Sequence, residues 1–122
     1  PLRKDGDRYH RTVIDTIHGK AALTDILVLQ RLKESSLLAV EIKTGITHQI
    51  RSHLSLIGFP ILGDKLYGTI NQFECPTKIT NTDFPLLLHA FSIDFFHPRT
   101  NERIHIESFL PLSFQETLKF IK

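Results

Sequence analysis

The sequence predicts an α+β domain with a mixed, mainly antiparallel sheet and a few helices. Two pairs of apolar segments are each separated by a short polar turn, which is typical of antiparallel hairpins. Only two segments have the periodicity or the start signals of a helix. With 122 residues, 41% apolar and 23% charged, the composition is that of one small globular domain.

The first predicted hairpin covers residues 24–44. Residues 24–32, TDILVLQRL, are rich in branched apolar side chains and predict a strand. Residues 37–44 alternate apolar and polar positions, which predicts a half-buried strand. The polar residues 34–36 between them predict the turn.

The second predicted hairpin joins residues 91–96 to residues 103–109. Both segments alternate, and the intervening HPRTNE sequence favours a turn because it contains proline and asparagine. A short apolar run, residues 86–90, precedes this hairpin. Residues 1–18 are polar and predict an irregular arm with one short strand at residues 12–14.

Two helices are predicted. Residues 48–57 carry Ile50, Leu54 and Ile57 on one helical stripe, with Thr47 as the predicted N-cap. Near the C-terminus, the sequence SFQE at residues 113–116 matches a capping box and predicts a last helix that ends at Ile121.

Charge and apolar content limit the possible partners. A net charge of +2 and a pI near 8.9 permit a phosphate-bearing partner without requiring one. The N-terminal basic residues predict a solvated polar segment; they are Arg3, Lys4, Arg8 and Arg11. No apolar run reaches 18 residues, so no membrane partner is expected, and with one cysteine the expected compartment is the cytoplasm.

The chain contains no methionine and begins with Pro1. We therefore expect a processed product or a piece of a longer protein.

Several kinds of catalytic or metal site lack their sequence motifs. His48 and His53 are five residues apart, which disfavours two ligands on one helix face, and no metal site is expected. Cys75 lies beside Glu74 in a predicted surface loop, residues 68–85, and is expected to be an inert thiol. Nucleophile-elbow, P-loop and dinucleotide-binding motifs do not occur in the sequence.

Residues 43–53, KTGITHQIRSH, place a strand end, a glycine and a helix start in direct succession. Arg51 falls near the positive end of that helix dipole, where a cation is unfavourable unless an anion compensates it. The residues alone leave three environments open for Arg51: a phosphate, a buried carboxylate, or water at the surface. Asp64 is expected to hydrogen-bond its own turn, and Glu41 and Glu107 are expected to be solvated.

Four segments together resemble the RluA/RsuA-type pseudouridine synthases. That family has a Thr-Gly-Arg-Thr-His-Gln-Ile-Arg segment followed by Gly-x-Pro-Ile-x-Gly-Asp-x-x-Tyr-Gly, and residues 43–51 and 58–68 are similar to these. Residues 19–24, GKAALT, resemble its Gly-Lys-x-Ala-x-Thr motif. Residues 86–98 contain Leu-His-Ala and His-Pro pairs that resemble the family's own.

The resemblance implies an isomerase that converts uridine to pseudouridine in RNA, either rRNA or tRNA, after flipping the base out of the stack. It implies no metal and no organic cofactor. The implied fold is the family's catalytic domain, of which residues 1–122 would be the C-terminal portion.

By position in the motifs, Arg51 is the implied catalytic residue and would orient a catalytic aspartate. Leu88, or its neighbour Leu87, would pack at the target base. His48 and Gln49 are the other implied substrate-binding positions, with structural support of the loop as their expected role. The remaining motif positions are expected to be structural: Gly45, Asp64, Tyr67 and His89.

Two departures from the family pattern shape the expected activity. Ile46 occupies a motif position where the family has arginine, and the catalytic His-Arg-Leu-Asp motif has no match, because Thr12 follows His10-Arg11. We expect a C-terminal fragment that lacks the nucleophilic aspartate and is inactive alone; the alternative is a noncatalytic RNA-binding or scaffold module. A fragment should expose an unusually apolar face, covered by the missing N-terminal half or a second chain.

Overall fold

The computed structural model describes residues 1–68 and 84–122. The interior of the predicted 68–85 loop, with Cys75, lies outside the described residues. Within them, the predicted α+β class is confirmed: two helices accompany three two-stranded antiparallel pairs. In chain order the elements are β1 (Leu2–Arg3), β2 (Val13–Ile14), β3 (Thr24–Arg31), β4 (Ser36–Ile42), α1 (Gln49–Leu56), β5 (Ser92–Phe96), β6 (Arg103–Glu107) and α2 (Leu112–Ile121).

The N-terminal arm is more ordered than its sequence predicts. β1 pairs with β2, and Leu2 also bridges to Lys20, so Leu2 becomes one of the most buried side chains. Two-residue strands are too short to show periodicity, which is why β1 was not predicted. Arg3, Lys4 and Arg8 are exposed, in line with the predicted solvated segment, although Arg3 pairs with Asp15. Arg11 departs from the prediction, because it is partly buried and pairs with Asp7.

Both predicted hairpins are confirmed. β3 pairs with β4 from Thr24↔Ile42 to Arg31↔Ser36, with an irregularity between Val28 and Gln30. β5 pairs with β6 from Ser92↔Glu107 to Phe96↔Arg103. The 97–102 turn is stabilised by the His97 ring, whose Nδ1 accepts two backbone N–H groups. The apolar run 86–90 forms no regular element.

Helix α1 begins one residue later than predicted, and Thr47 is not its N-cap. His48 occupies that position in a left-handed conformation, φ 55°, and makes no side-chain cap. The side chain of Gln49 takes over part of the capping role, since its Oε1 accepts the N–H of Ile46 at 3.1 Å.

The buried face of α1 is largely polar rather than the apolar stripe that was predicted. Leu54 is buried, but Ile57 is 59% exposed. Buried with Leu54 are Gln49, Ser52 and Ser55, and each of these three donates to a backbone carbonyl of a different segment: those of Leu23, Thr12 and Tyr67. Side-chain hydrogen bonds therefore fasten three loops to this helix.

Helix α2 does not use the predicted capping box. It begins at Leu112 after Pro111, with no side-chain cap, so Ser113 lies inside the first turn. There the Ser113 carbonyl accepts the hydroxyl of Thr117 at 2.8 Å. The helix starts early because proline restricts its own φ to values that lead readily into a helix.

The hairpins expose much of their apolar surface, as expected. Leu27 of β3 is 63% exposed and Phe96 of β5 is 65% exposed, and similar side chains line both hairpins. The buried apolar residues are few and lie elsewhere: Leu2, Leu54, Tyr67 and Ile121. Neither described helix is long and apolar enough to cross a membrane.

Candidate active site

The candidate site is built on the turn that precedes Asp64. Gly63 has φ 79°, and a Cβ at this position would lie 2.0 Å from the carbonyl oxygen of Pro85. Only glycine allows this close approach. The N–H of Leu87 also donates to the carbonyl of Leu62 at 2.9 Å. The segment with Leu87 and Leu88 is thereby held against the turn that carries Asp64.

Asp64 has the geometry of the predicted turn aspartate. Its Oδ1 accepts the N–H groups of Leu66 and Tyr67, each at 3.0 Å. The side chain is fully buried. The turn therefore fixes the carboxylate through its own backbone.

Arg51 forms a bidentate ion pair with that carboxylate. Its Nε lies 2.8 Å from Oδ2 of Asp64, and its Nη2 lies 2.9 Å from Oδ1. The guanidinium also sits 4.9 Å from the centre of the Tyr67 ring. Of the three environments left open by the sequence, the structure places Arg51 at a buried carboxylate. Its orienting role toward a catalytic aspartate stays a prediction.

The pair is ionised at neutral pH. Burial alone would raise the pKa of Asp64, but hydrogen bonds from the Arg51 guanidinium and from the N–H groups of Tyr67 and Leu66 outweigh it, so the pKa is lowered. The pKa of Arg51 is raised, chiefly because its side chain donates to Asp64. Each charge therefore stabilises the other.

Tyr67 connects this pair to the start of α1. Its hydroxyl accepts the N–H of Thr12 at 2.9 Å and lies 3.1 Å from Nδ1 of His48. The His48 and Tyr67 rings meet edge to face, 5.7 Å apart. The pKa of His48 is lowered, first by partial desolvation of the ring and then by the charge of Arg51, although the residue is exposed.

Gln49 uses all of its hydrogen-bonding capacity inside the fold. Its Nε2 donates to the carbonyl of Leu23 and to Oγ1 of Thr24, both at 2.9 Å. Its Oε1 accepts from Oγ1 of Thr44 and from the N–H of Ile46. An amide side chain has two donors and two acceptor sites. These contacts join the Gln49 side chain to the loops before β3 and α1, and its substrate-binding role stays a prediction.

The other predicted positions differ in their exposure and in their contacts. Leu87 is half-buried and Leu88 is exposed. His89 contacts the carbonyl of Ser108 through Nε2 at 2.9 Å, which ties this segment to the end of β6. Gly45 lies exposed in the loop before α1, and within the described parts of the chain a Cβ there would meet open space.

The pairing of Arg51 with Asp64 was missed by the sequence interpretation. One signal could have found it: no acidic residue occurs between Glu41 and Asp64. An arginine that needs a carboxylate therefore has Asp64 as the next acidic residue along the chain. Within residues 1–68 and 84–122, no three His, Cys, Asp or Glu side chains are arranged to hold a metal ion.

No family model matches the chain, but its sequence is similar to those of several known proteins. The chain is 37% identical over its whole length to an uncharacterized RNA pseudouridine synthase, YlyB, of Bacillus subtilis. It is 35% identical, again over its whole length, to ribosomal large subunit pseudouridine synthase D of Pseudomonas aeruginosa. Over 88% of its length it is 38% identical to ribosomal large subunit pseudouridine synthase C of Buchnera aphidicola.

The chain spans 37%, 39% and 34% of the lengths of these three relatives, respectively. Two of these relatives align with the whole chain, which includes the motif segments around Arg51 and Asp64. The chain belongs to the RluA/RsuA-type family of RNA pseudouridine synthases.

Proposed function

We propose that this chain is the C-terminal portion of a pseudouridine synthase catalytic domain and acts in the conversion of uridine to pseudouridine in RNA. The observation that carries the proposal is the ion pair of the mostly buried Arg51 with Asp64, whose turn also binds the backbone of Leu87 through the carbonyl of Leu62. The names of two relatives specify the ribosomal large subunit, so we propose rRNA as the substrate.

Each element of the site has a proposed role in that reaction. The bond from C1′ to N1 of uracil breaks, the base turns, and C1′ bonds to C5; C5 then loses its proton and N1 gains one, so the product is an isomer of the substrate. Arg51 would orient and keep ionised the aspartate that starts this sequence. Leu88 would pack against the flipped base, since it is exposed next to the half-buried Leu87.

The nucleophilic aspartate would come from polypeptide N-terminal to this chain. Two observations support this. The relatives are more than twice as long as the stretch they share with the chain. The β3–β4 and β5–β6 hairpins also expose apolar side chains that such a segment would cover, as a second chain could.

The test is tritium release from rRNA labelled at C5 of uridine. We expect no release by the chain alone, and release when it replaces the matching region of the Pseudomonas aeruginosa relative, whose name specifies the ribosomal large subunit. Turnover by the chain alone would refute the assignment of the nucleophile to another segment. A folded chimera that binds rRNA and releases no tritium would contradict the proposed activity.

Arg51→Ala in the active protein separates chemistry from binding. Because a group that orients a carboxylate acts on the chemical step, turnover should fall by about two or more orders of magnitude while RNA affinity changes less. Arg3→Ala is the matched control, since Arg3 also binds an aspartate but on the surface. Equal losses of turnover and affinity in the Arg51 variant would make this residue a phosphate contact instead.

A second candidate function is a noncatalytic RNA-binding or scaffold module. Ile46 at a motif arginine position and the net charge of +2 favour it. The reading frame upstream of Pro1 discriminates: a His-Arg-Leu-Asp motif there supports the enzyme, and its absence supports the module. RNA affinity that falls as salt rises would distinguish the module from a packing fragment without its own role.

A further inference from the structure

The ion pair with Asp64 uses one edge of the Arg51 guanidinium. Asp64 occupies the edge formed by Nε and Nη2. A guanidinium has a second edge, formed by Nη1 and Nη2, which can bind another carboxylate in the same bidentate way. The Arg51 side chain keeps 17% of its surface accessible, whereas Asp64 keeps none. The accessible part of the pair therefore belongs to the arginine.

We propose that Asp64 is a positioning residue: by holding the Nε–Nη2 edge, it presents the Nη1–Nη2 edge of Arg51 to the carboxylate that the reaction uses. This inference rests on the proposed function, because it assigns the second edge to the nucleophilic aspartate. Asp64 would act on the reaction only through Arg51.

Asp64 is suited to this role because contacts other than the arginine hold its carboxylate in place. Two backbone N–H groups hold Oδ1, and the close approach of Pro85 to Gly63 fixes the turn itself. The Tyr67 ring restrains the guanidinium from another side. A flexible four-bond side chain is thereby held in one orientation, which lowers the entropy lost when it binds a second anion.

The first test uses the wild-type chain and needs no activity. The Nε–H of Arg51 should exchange with water at least about tenfold more slowly in NMR spectra than the Nε–H of Arg3, because burial protects it. Arg3 is a matched internal control, since its Nε also donates to a turn aspartate, Asp15. Equal exchange rates for the two groups would overturn the proposal.

The second test compares Asp64→Asn with Asp15→Asn in the protein that releases tritium. Asp64→Asn should lower kcat at least about tenfold and change KM less than about threefold, because substrate binding does not depend on the guanidinium's orientation. Asp15→Asn should match the wild type. An Asp64→Asn protein that is folded and fully active would refute the positioning role.

A third readout is the acid limb of the kcat profile, which a merely structural role would not move. Removing the charge of Asp64 leaves Arg51 less compensated, so the nucleophile stays ionised to lower pH and the limb shifts down. Arg51→Gln removes the cation and should shift the same limb up. Shifts in the same direction would contradict the proposal. If the wild type releases no tritium, the proposed function fails, while the exchange rate of the Arg51 Nε–H in Asp64→Asn, compared with the wild type, still decides whether Asp64 fixes Arg51.

Discussion

The pairs Arg51–Asp64 and Arg3–Asp15 have the same local hydrogen-bond pattern but differ in how far the arginine is buried. In each, one carboxylate oxygen accepts the N–H groups two and three residues ahead, and the other accepts an arginine Nε. Arg3 keeps 45% of its side chain exposed and uses one nitrogen. Arg51 is mostly buried and uses two.

This difference shows that a turn aspartate acquires its function from where the turn is packed. The pKa of Asp15 is lowered to about 2, first by the N–H of His18, with the Ile17 N–H and Arg3 contributing further. At Asp15 the backbone N–H groups of the turn therefore contribute most to the lowered pKa. At Asp64, burial opposes ionisation and the Arg51 hydrogen bond is the largest force that overcomes it. Both aspartates are helped by an arginine, but the arginine is the largest favourable contribution only at the buried Asp64.

The largest expected effect comes from removing the buried carboxylate. Asp64→Ala should destabilise the chain by about 3–5 kcal/mol, because it leaves Arg51 without its counter-charge and two N–H groups without an acceptor. Chemical denaturation followed by circular dichroism measures this. Asp15→Ala, the control, should destabilise the chain less, because Arg3 is 45% exposed and stays solvated without its partner, and equal losses in the two variants would contradict the comparison.

A smaller effect is expected from Tyr67→Phe. The hydroxyl accepts the N–H of Thr12, a residue that is almost fully buried. Without it, that N–H loses its partner, which should cost about 1–3 kcal/mol in free energy of unfolding. Tyr9→Phe is the control because the Tyr9 side chain is exposed. An unchanged midpoint for Tyr67→Phe would show that water replaces the hydroxyl.

Ser55→Ala tests the polar face of α1 on a still smaller scale. Ser55 Oγ donates to the Tyr67 carbonyl at 2.7 Å, and a hydrogen bond of this kind contributes about 1 kcal/mol. Thermal unfolding should show a small fall in Tm. A rise in Tm would mean that packing, rather than this bond, holds the Tyr67 segment to the helix.

The smallest effect appears only in acid. Because the pKa of Asp64 is lowered by folding, its ionised form stabilises the chain fully above the unfolded pKa of 3.8. This stabilisation is lost as pH falls below 3.8 toward the folded pKa. The stability difference between wild type and Asp64→Asn should therefore be constant from pH 5 to pH 7 and shrink below pH 4. A difference that stays constant to pH 2 would disprove the linkage to Asp64.

The sequence predicted the hairpins and turns, whose structure depends on residues close together in the chain. Alternation in residues 37–44 and the turn sequence at 97–102 were sufficient to predict both hairpins, because strand pairing across a short turn depends on neighbours in sequence. The Gly63-Asp64 turn was predictable for the same reason. The helix starts were not, because Gln49 binds the N–H of Ile46 at the start of α1 and Pro111 precedes α2, so neither helix uses the expected Ser or Thr cap.

By itself, the sequence determined the α+β class and the family motifs, and it left an anion as one of the environments open for Arg51. Only the tertiary structure decided that Asp64 is that anion, that α1 buries amide and hydroxyl groups, and that Leu87 lies against the Asp64 turn. The physical reason is that the strength of an ion pair depends more on how deeply it is buried than on the local hydrogen bonds of its turn. Burial is set by segments far apart in the chain.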